Sequence, residues 1–240
     1  MEDNYFIKHI TLNKLEYSNY FSEIDGLKKI ESFSIKKPVI FFTGENGTGK
    51  STLLEAIAVN CGFNPEGGSK NFNFSTKETH SDLYRHLTLS KGIRRATDGF
   101  FLRAESFYNL ATYLDDLTID FSEYGNKSLH NQSHGESFLN LIKNRFRGNG
   151  LYLLDEPEAA LSIQNQLSLM ICIYNLVKTG SQFIIVTHSP ILLAMPNSQI
   201  ISFDLDSPLE ITYEDSKPYE LMSLFSNNRD SLFSKMFQDD

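Results

Sequence analysis

One stretch constrains this chain more than any other: Gly44-Glu45-Asn46-Gly47-Thr48-Gly49-Lys50-Ser51-Thr52. It follows a short apolar run, Val39-Ile40-Phe41-Phe42, and precedes a helix-like run, Leu53-Leu54-Glu55-Ala56-Ile57-Ala58. Gly-x-x-x-x-Gly-Lys-Ser between a strand and a helix reads as a phosphate-binding loop. Glycines let successive backbone N–H groups converge on phosphate oxygens with no Cβ in the way. The helix that follows points its positive end at the same anion. Lys50 is placed to reach the β- and γ-phosphates, and the Ser51 hydroxyl to meet Mg²⁺. The candidate nucleotide contacts are therefore Asn46, Gly47, Thr48, Gly49, Lys50, Ser51 and Thr52, with the backbone of Asn46 mattering more than its side chain.

Two further apolar runs end in chemistry-bearing residues. Leu151-Tyr152-Leu153-Leu154 runs into Asp155-Glu156, and Phe183-Ile184-Ile185-Val186 into Thr187-His188. Asp155 is expected to serve Mg²⁺, and Glu156 to polarise an attacking water. The plainer alternative is that Asp155 and Glu156 cap a helix beginning near Pro157. His188 is expected to contact a γ-phosphate; a capping histidine before a proline is the alternative. Strands apolar throughout, alternating with helices, predict a mostly parallel sheet covered on both faces. Ligands of such sheets sit at the C-terminal strand ends. The three motif ends are thus expected on one edge, far apart though they are in sequence.

A second candidate anion site is Gln132-Ser133-His134-Gly135-Glu136-Ser137, directly ahead of an amphipathic helix over 137–147. A hydroxyl, a glycine and a helix N-terminus together favour an anion. An N-cap serine with a turn glycine explains the same residues. Elsewhere, strands are expected over 5–15, 30–35, 99–103, 182–186, 200–203 and 210–213. Helices are expected over 82–89, 104–117 and 162–179, with one or two short ones over 219–237. The clearest is 162–179, where Ile163, Leu167, Met170, Ile171, Tyr174 and Val177 recur at helical spacing. Tyr17, Tyr20, Phe21 and Phe33 are candidates for adenine stacking, with a core role the stronger expectation.

The formal net charge of −8 argues against generic nucleic-acid binding, and from Ile201 onward nine acidic residues stand against three basic. Arg85, Lys91, Arg94, Arg95 and Arg103 form a local basic cluster, read as a solvated face. Arg103 and Glu105 are expected to pair or to touch nucleotide. Cys61 and Cys172 read as reduced thiols in apolar patterns. His9, His80, His86 and His130 lack ligand spacing. No apolar run is long enough to span a bilayer and the N-terminus has no signal-peptide pattern, so the expectation is a cytoplasmic protein without membrane insertion.

Taken in order, Gly44 to Ser51, Ser133-His134-Gly135-Glu136, Asp155-Glu156-Pro157, Leu161-Ser162 and His188 resemble the Walker A, signature, Walker B, D-loop and switch-histidine motifs of the ABC-type ATPases. The resemblance covers roughly residues 5 to 205. It implies an α/β P-loop NTPase fold: a mostly parallel sheet with flanking antiparallel strands and a helical insert. The chain then reads as a single domain over 1–240, with the signature-bearing insert at about 70–147 and an acidic C-terminal tail at about 205–240. The resemblance also implies ATP and Mg²⁺ as cofactors and Glu156 and His188 as catalytic residues. It implies Ser51 and Asp155 at the metal, and an ATP-dependent homodimer. In that dimer Ser133, Gly135 and Glu136 meet the nucleotide on the partner's P-loop. Asp155-Glu156-Pro157-Glu158 and Thr187-His188-Ser189-Pro190 are similar to the SMC-, RecF- and OLD-like side of the family. Compact bacterial ATPases of the AAA kind are closely similar too. That side implies a partner protein or nucleic acid and DNA-related or phage-defence processes. The alternative is the nucleotide-binding subunit of an ABC transporter. Two departures stand out: no Q-loop glutamine follows Arg103, and the 105-residue spacing from Lys50 to Asp155 leaves no room for long coiled-coil arms.

Overall fold

A computed structural model describes residues 5–13, 20–69, 81–104, 134–207 and 209–237. The expected helix 104–117, the loop 120–132, Tyr17, Glu105 and Ser133 lie outside the described residues, as do the side chains of Tyr20 and His134.

Nine strands are described: β1 Ile7–Leu12, β2 Ser32–Ser34, β3 Val39–Thr43, β4 Leu87–Lys91, β5 Asp98–Arg103, β6 Gly150–Asp155, β7 Gln182–Val186, β8 Ser198–Ser202 and β9 Glu210–Ile211. The helices are α1 Asp25–Lys28, α2 Lys50–Asn60, α3 His134–Arg145, α4 Ile163–Lys178, α5 Pro190–Leu193 and α6 Lys217–Met236. Six strands form the main sheet in the order β5-β6-β7-β3-β8-β9. The first five run parallel, and β9 closes the edge antiparallel to β8. A second, antiparallel sheet has the order β2-β1-β4. The fold is thus the expected α/β architecture with flanking antiparallel strands.

The continuous apolar runs are explained by burial on both faces. Ile40 and Phe42 of β3, Leu151 and Leu153 of β6, and Ile184 and Val186 of β7 face α2 and the antiparallel sheet. Their alternates Val39, Phe41, Tyr152, Leu154, Phe183 and Ile185 face α3, α4 and α5. Such two-sided burial removes the polar alternation of a half-exposed strand. Two buried glutamines join the sheets. Gln182 Oε1 accepts the Phe6 and Ile7 N–H groups at 2.9 and 3.0 Å, and its Nε2 donates to Ile7 O at 2.9 Å. Gln199 bonds Lys36 N–H and Ser34 O in the same way. A buried side-chain amide that satisfies backbone groups on a neighbouring sheet avoids the cost of leaving either unpaired.

The structure departs from expectation at the helix read over 82–89. Only Asp82–His86 is helical, as a 3-10 turn, and Leu87–Lys91 then pairs with β1 as β4. Residues 87–103 supply one strand to each sheet, and the strand expected over 99–103 is β5. Phe21 and Phe33 are buried in the core, the stronger of the two expectations for them. In α4, expected from apolar residues at helical spacing, Ile163, Leu167, Ile171 and Tyr174 are exposed, while Gln166, Leu169 and Ile173 are buried.

Candidate functional site

The sheet order makes the site. β6, β7 and β3 are neighbours, so Asp155-Glu156, Thr187-His188 and Thr43-Gly44 emerge side by side at the C-terminal strand ends. The outer strands add Arg103 from β5 and Asp204 just past β8. The ladders continue to this edge: Glu156 N–H donates to Val186 O, Thr187 N–H to Phe42 O, and Phe203 N–H to Thr43 O.

The phosphate loop is held from below. Gly49 adopts the left-handed region (φ 90°), and a Cβ there would lie 2.7 Å from Leu27 Cγ and 2.9 Å from Ile24 Cγ2. Glycine at this position answers both constraints, the backbone turn and the close approach of α1. The Thr48 hydroxyl donates to Glu45 O at 2.8 Å. Asn46 and Gly47 are exposed, and Ser51 and Thr52 are half-buried in the first turn of α2. Lys50 is 4% exposed, and its ammonium folds back to donate to Gly44 O at 2.8 Å and Glu45 O at 2.7 Å. Burial lowers its pKa, partly offset by the carboxylates of Glu156, Asp204 and Asp155.

Ser51 Oγ donates to Asp155 Oδ1 at 2.8 Å, joining the first turn of α2 to the end of β6. A hydroxyl and a carboxylate side by side are the hard oxygen donors that Mg²⁺ prefers, so these residues fit the ion. Asp155 Oδ2 lies 3.4 Å from Arg103 Nε, and Arg103 Nη1 also donates to Glu55 Oε2 at 3.0 Å. Arg103 is therefore paired with the carboxylate beside the loop and with α2. Glu156, next along, has φ 49° and ψ 52°. A left-handed backbone on a non-glycine residue is strained, and such strain collects at functional sites. It turns the carboxylate toward His188, whose Nε2 stands 3.7 Å from Glu156 Oε1. Among the described residues, Thr43 Oγ1, Glu158 Oε2 and His188 Nε2 are buried polar atoms without a hydrogen-bond partner. Burial, then the Lys50 cation, lowers the His188 pKa and favours a neutral imidazole.

Sequence reasoning missed three residues here. Asp204 is buried, and its Oδ1 accepts the Glu45 N–H at 2.8 Å, bracing the phosphate loop from the neighbouring strand. Glu158 Oε1 accepts the His188 N–H at 2.6 Å, and burial raises its pKa. Gln166 accepts the Ser189 hydroxyl at 2.6 Å and donates to Leu161 O at 3.2 Å. Asp204 follows a buried strand as Asp155 does, the one signal that could have found it. Gly135 and Glu136 lie in the first turn of α3. A Cβ on Gly135 would sit 2.9 Å from Ala160 O and 3.0 Å from Asn165 Nδ2, so its near neighbours belong to the segment after β6. Of the basic cluster, Arg94 stacks over Phe6 and bonds Asn149, Arg85 pairs with Asp82, and Arg103 belongs to the site edge.

Known proteins share this architecture. At 15% identity, the chain matches a metal-chelate type ABC transporter solved in an inward-facing conformation (TM-score 0.52, covering 93% of this chain and 89% of that one). At 16% identity, it matches a nucleotide-free ATP-binding cassette from an ABC transporter (TM-score 0.51, 93% and 96% covered). These likenesses establish the fold. The arabinose import ATP-binding protein AraG of Mannheimia succiniciproducens is 28% identical over 196 residues, 72% of this chain; the chain spans 39% of that relative's length. The AAA domain family matches residues 14–147, over half of the sequence. On that match, the chain belongs to the AAA domain family.

Proposed function

We propose that the chain is an ATP-hydrolysing switch that closes as a two-chain sandwich on ATP and opens after hydrolysis. The observation that carries the reading is the single edge uniting Lys50, the Ser51–Asp155 pair, Glu156 and His188. The amides of 46–52 at the start of α2 receive the phosphates. Lys50 exchanges its two carbonyl contacts for phosphate oxygens. Ser51 and Asp155 would hold Mg²⁺, which would offset charge on the transferred phosphoryl group. The Glu156 carboxylate orients the attacking water and takes up its proton, and the unpartnered His188 Nε2 is available to the γ-phosphate. Glu158 fixes the backbone from which His188 reaches the site. Ser133, Gly135 and Glu136 complete the partner's site. Thr187-His188-Ser189-Pro190 and Asp155-Glu156-Pro157-Glu158 favour the SMC-, RecF- and OLD-like side, with a nucleic acid or partner protein as the load.

A second reading has a specific observation behind it. The 28% identity to AraG favours the nucleotide-binding subunit of an importer. Purification from the native cell separates the two: co-purification of a membrane permease supports the importer, and nucleic acid or a non-membrane partner supports the switch. For the shared chemistry, Glu156→Gln is expected to bind Mg-ATP with parent affinity while hydrolysis falls about 100-fold. Parent-like turnover in that variant would remove Glu156 from the mechanism.

A further inference from the structure

Two threonines end neighbouring strands at matching positions. Phe42 of β3 pairs with Val186 of β7, so Thr43 and Thr187 lie one step further on, at the C-terminal edge. Side chains alternate between the faces of a strand. Val39 and Phe41 of β3, like Phe183 and Ile185 of β7, face α3, α4 and α5, and the two threonines continue those series. Both are buried, Thr43 at 2% exposure and Thr187 at 0%. Their hydroxyls differ. Thr187 Oγ1 accepts the Ser189 N–H at 3.0 Å. Thr43 Oγ1 has no hydrogen-bond partner among the described residues.

A buried hydroxyl left unpaired costs stability, whereas a valine of the same shape would not. Valine would also suit a strand buried on both faces. The fold alone therefore gives no reason for threonine here, and its surroundings supply one. Thr43 lines a cavity of about 640 Å³ together with Gly44, Glu45 and His188. Gly44, the next residue, and Glu45 hold the Lys50 ammonium on their carbonyls. His188 Nε2 is a second buried, unpartnered atom of a residue lining this cavity. The buried Asp204 carboxylate on the same wall is already engaged by the Glu45 N–H and by Lys217. A hydroxyl whose desolvation is complete in the folded chain can donate to an anionic oxygen at no further cost of reorganisation.

We propose that Thr43 recognises the terminal phosphate of the nucleotide, its hydroxyl donating to a γ-phosphate oxygen beside His188, and so separates ATP from ADP. This rests on the ATP reading above and adds to it a residue that senses the group lost on hydrolysis. The test uses the full chain carrying Glu156→Gln, so that bound ATP persists. Thr43→Val and Thr43→Ser are added to it separately. Isothermal titration gives the affinities for Mg-ATP and Mg-ADP, and the melting temperature of the nucleotide-free chain reports the fold. Thr43→Val is expected to bind Mg-ATP at least about tenfold more weakly, to bind Mg-ADP within about twofold of the Glu156→Gln chain, and to melt no lower than that chain. Thr43→Ser keeps the hydroxyl and is expected to hold its Mg-ATP affinity within about threefold. Unchanged Mg-ATP binding by Thr43→Val overturns the proposal. Equal losses of ATP and ADP overturn it too, because the side chain would then shape the loop and not read the phosphate. So does a Thr43→Val chain that melts lower, since its hydroxyl would then serve the fold, and so does a serine variant as weak as the valine one. A Glu156→Gln chain that binds neither nucleotide removes the ATP reading itself, which tells the two failures apart.

Discussion

Helices α2 and α6 flank the same phosphate edge and are held there in opposite ways. In α2, Leu53, Leu54, Ala56, Ile57 and Ala58 are buried between the main sheet and the antiparallel sheet, and Lys50 and Ser51 are carried by that packing. In α6 nothing is buried, and an ion pair from Lys217 joins its first turn to the edge. The phosphate cradle is thus a by-product of the core, fixed whenever the chain folds. Helix α6 has no such packing. Strength of packing is what separates α2 from α6.

Four experiments bear on this contrast, beginning with the largest effect. Lys50→Ala removes the only ammonium folded into the loop among the described residues, and ATPase activity should fall at least about 100-fold. Isothermal titration with ATP locates the loss at binding or at turnover. Next, Ile57→Ala, in the fully buried face of α2, should lower the unfolding free energy by about 2–5 kcal/mol. Leu221→Ala on α6 should change it by no more than about 0.5 kcal/mol. Denaturant titrations of the pair check the contrast directly, and equal losses would place α6 in the core. Third, Asp204→Ala deletes the carboxylate that braces Glu45 and should weaken ATP binding about tenfold with little change in melting temperature.

The smallest effect is a pH dependence. Burial raises the Glu158 pKa above its ordinary value of 4.5. A carboxyl raised in the folded state contributes stability below its unfolded pKa and loses it as pH rises through the folded one. Glu158→Gln removes that titration while keeping an oxygen for the His188 N–H. The variant should therefore melt higher than the parent at neutral pH, with the gap narrowing toward pH 4.5. A gap that does not vary with pH would mean that Glu158 titrates alike in both states.

What was legible in the sequence follows from the same contrast. The continuous apolar runs of β3, β6 and β7 announce strands buried on both faces, and the residues that end them must then share an edge. The placement of the phosphate loop, Asp155, Glu156 and His188 on one edge was readable for that reason. β4 was not, because Leu87–Lys91 has a weak local pattern and owes its strand state to pairing with β1, far away in sequence. Periodicity revealed α4 but not which side is covered: its inward face uses Gln166, a polar residue satisfied by Ser189 and Leu161. Asp204 and Glu158 act through single backbone N–H groups of distant loops, and no spacing rule encodes such a bond. Ser133 lies outside the described residues, so its role rests on the order of the motifs alone.

The claim at the centre of this account is that each site is built by two chains. Mixing Lys50→Ala chains with Ser133→Arg chains tests it most directly. Each variant alone has a defect in every site, whereas a mixed dimer places both defects in one site and leaves the other intact. The account predicts that an equal mixture of two inactive proteins regains about a quarter of the parent ATPase activity, as random two-fold pairing requires. A mixture as inactive as its components would contradict it.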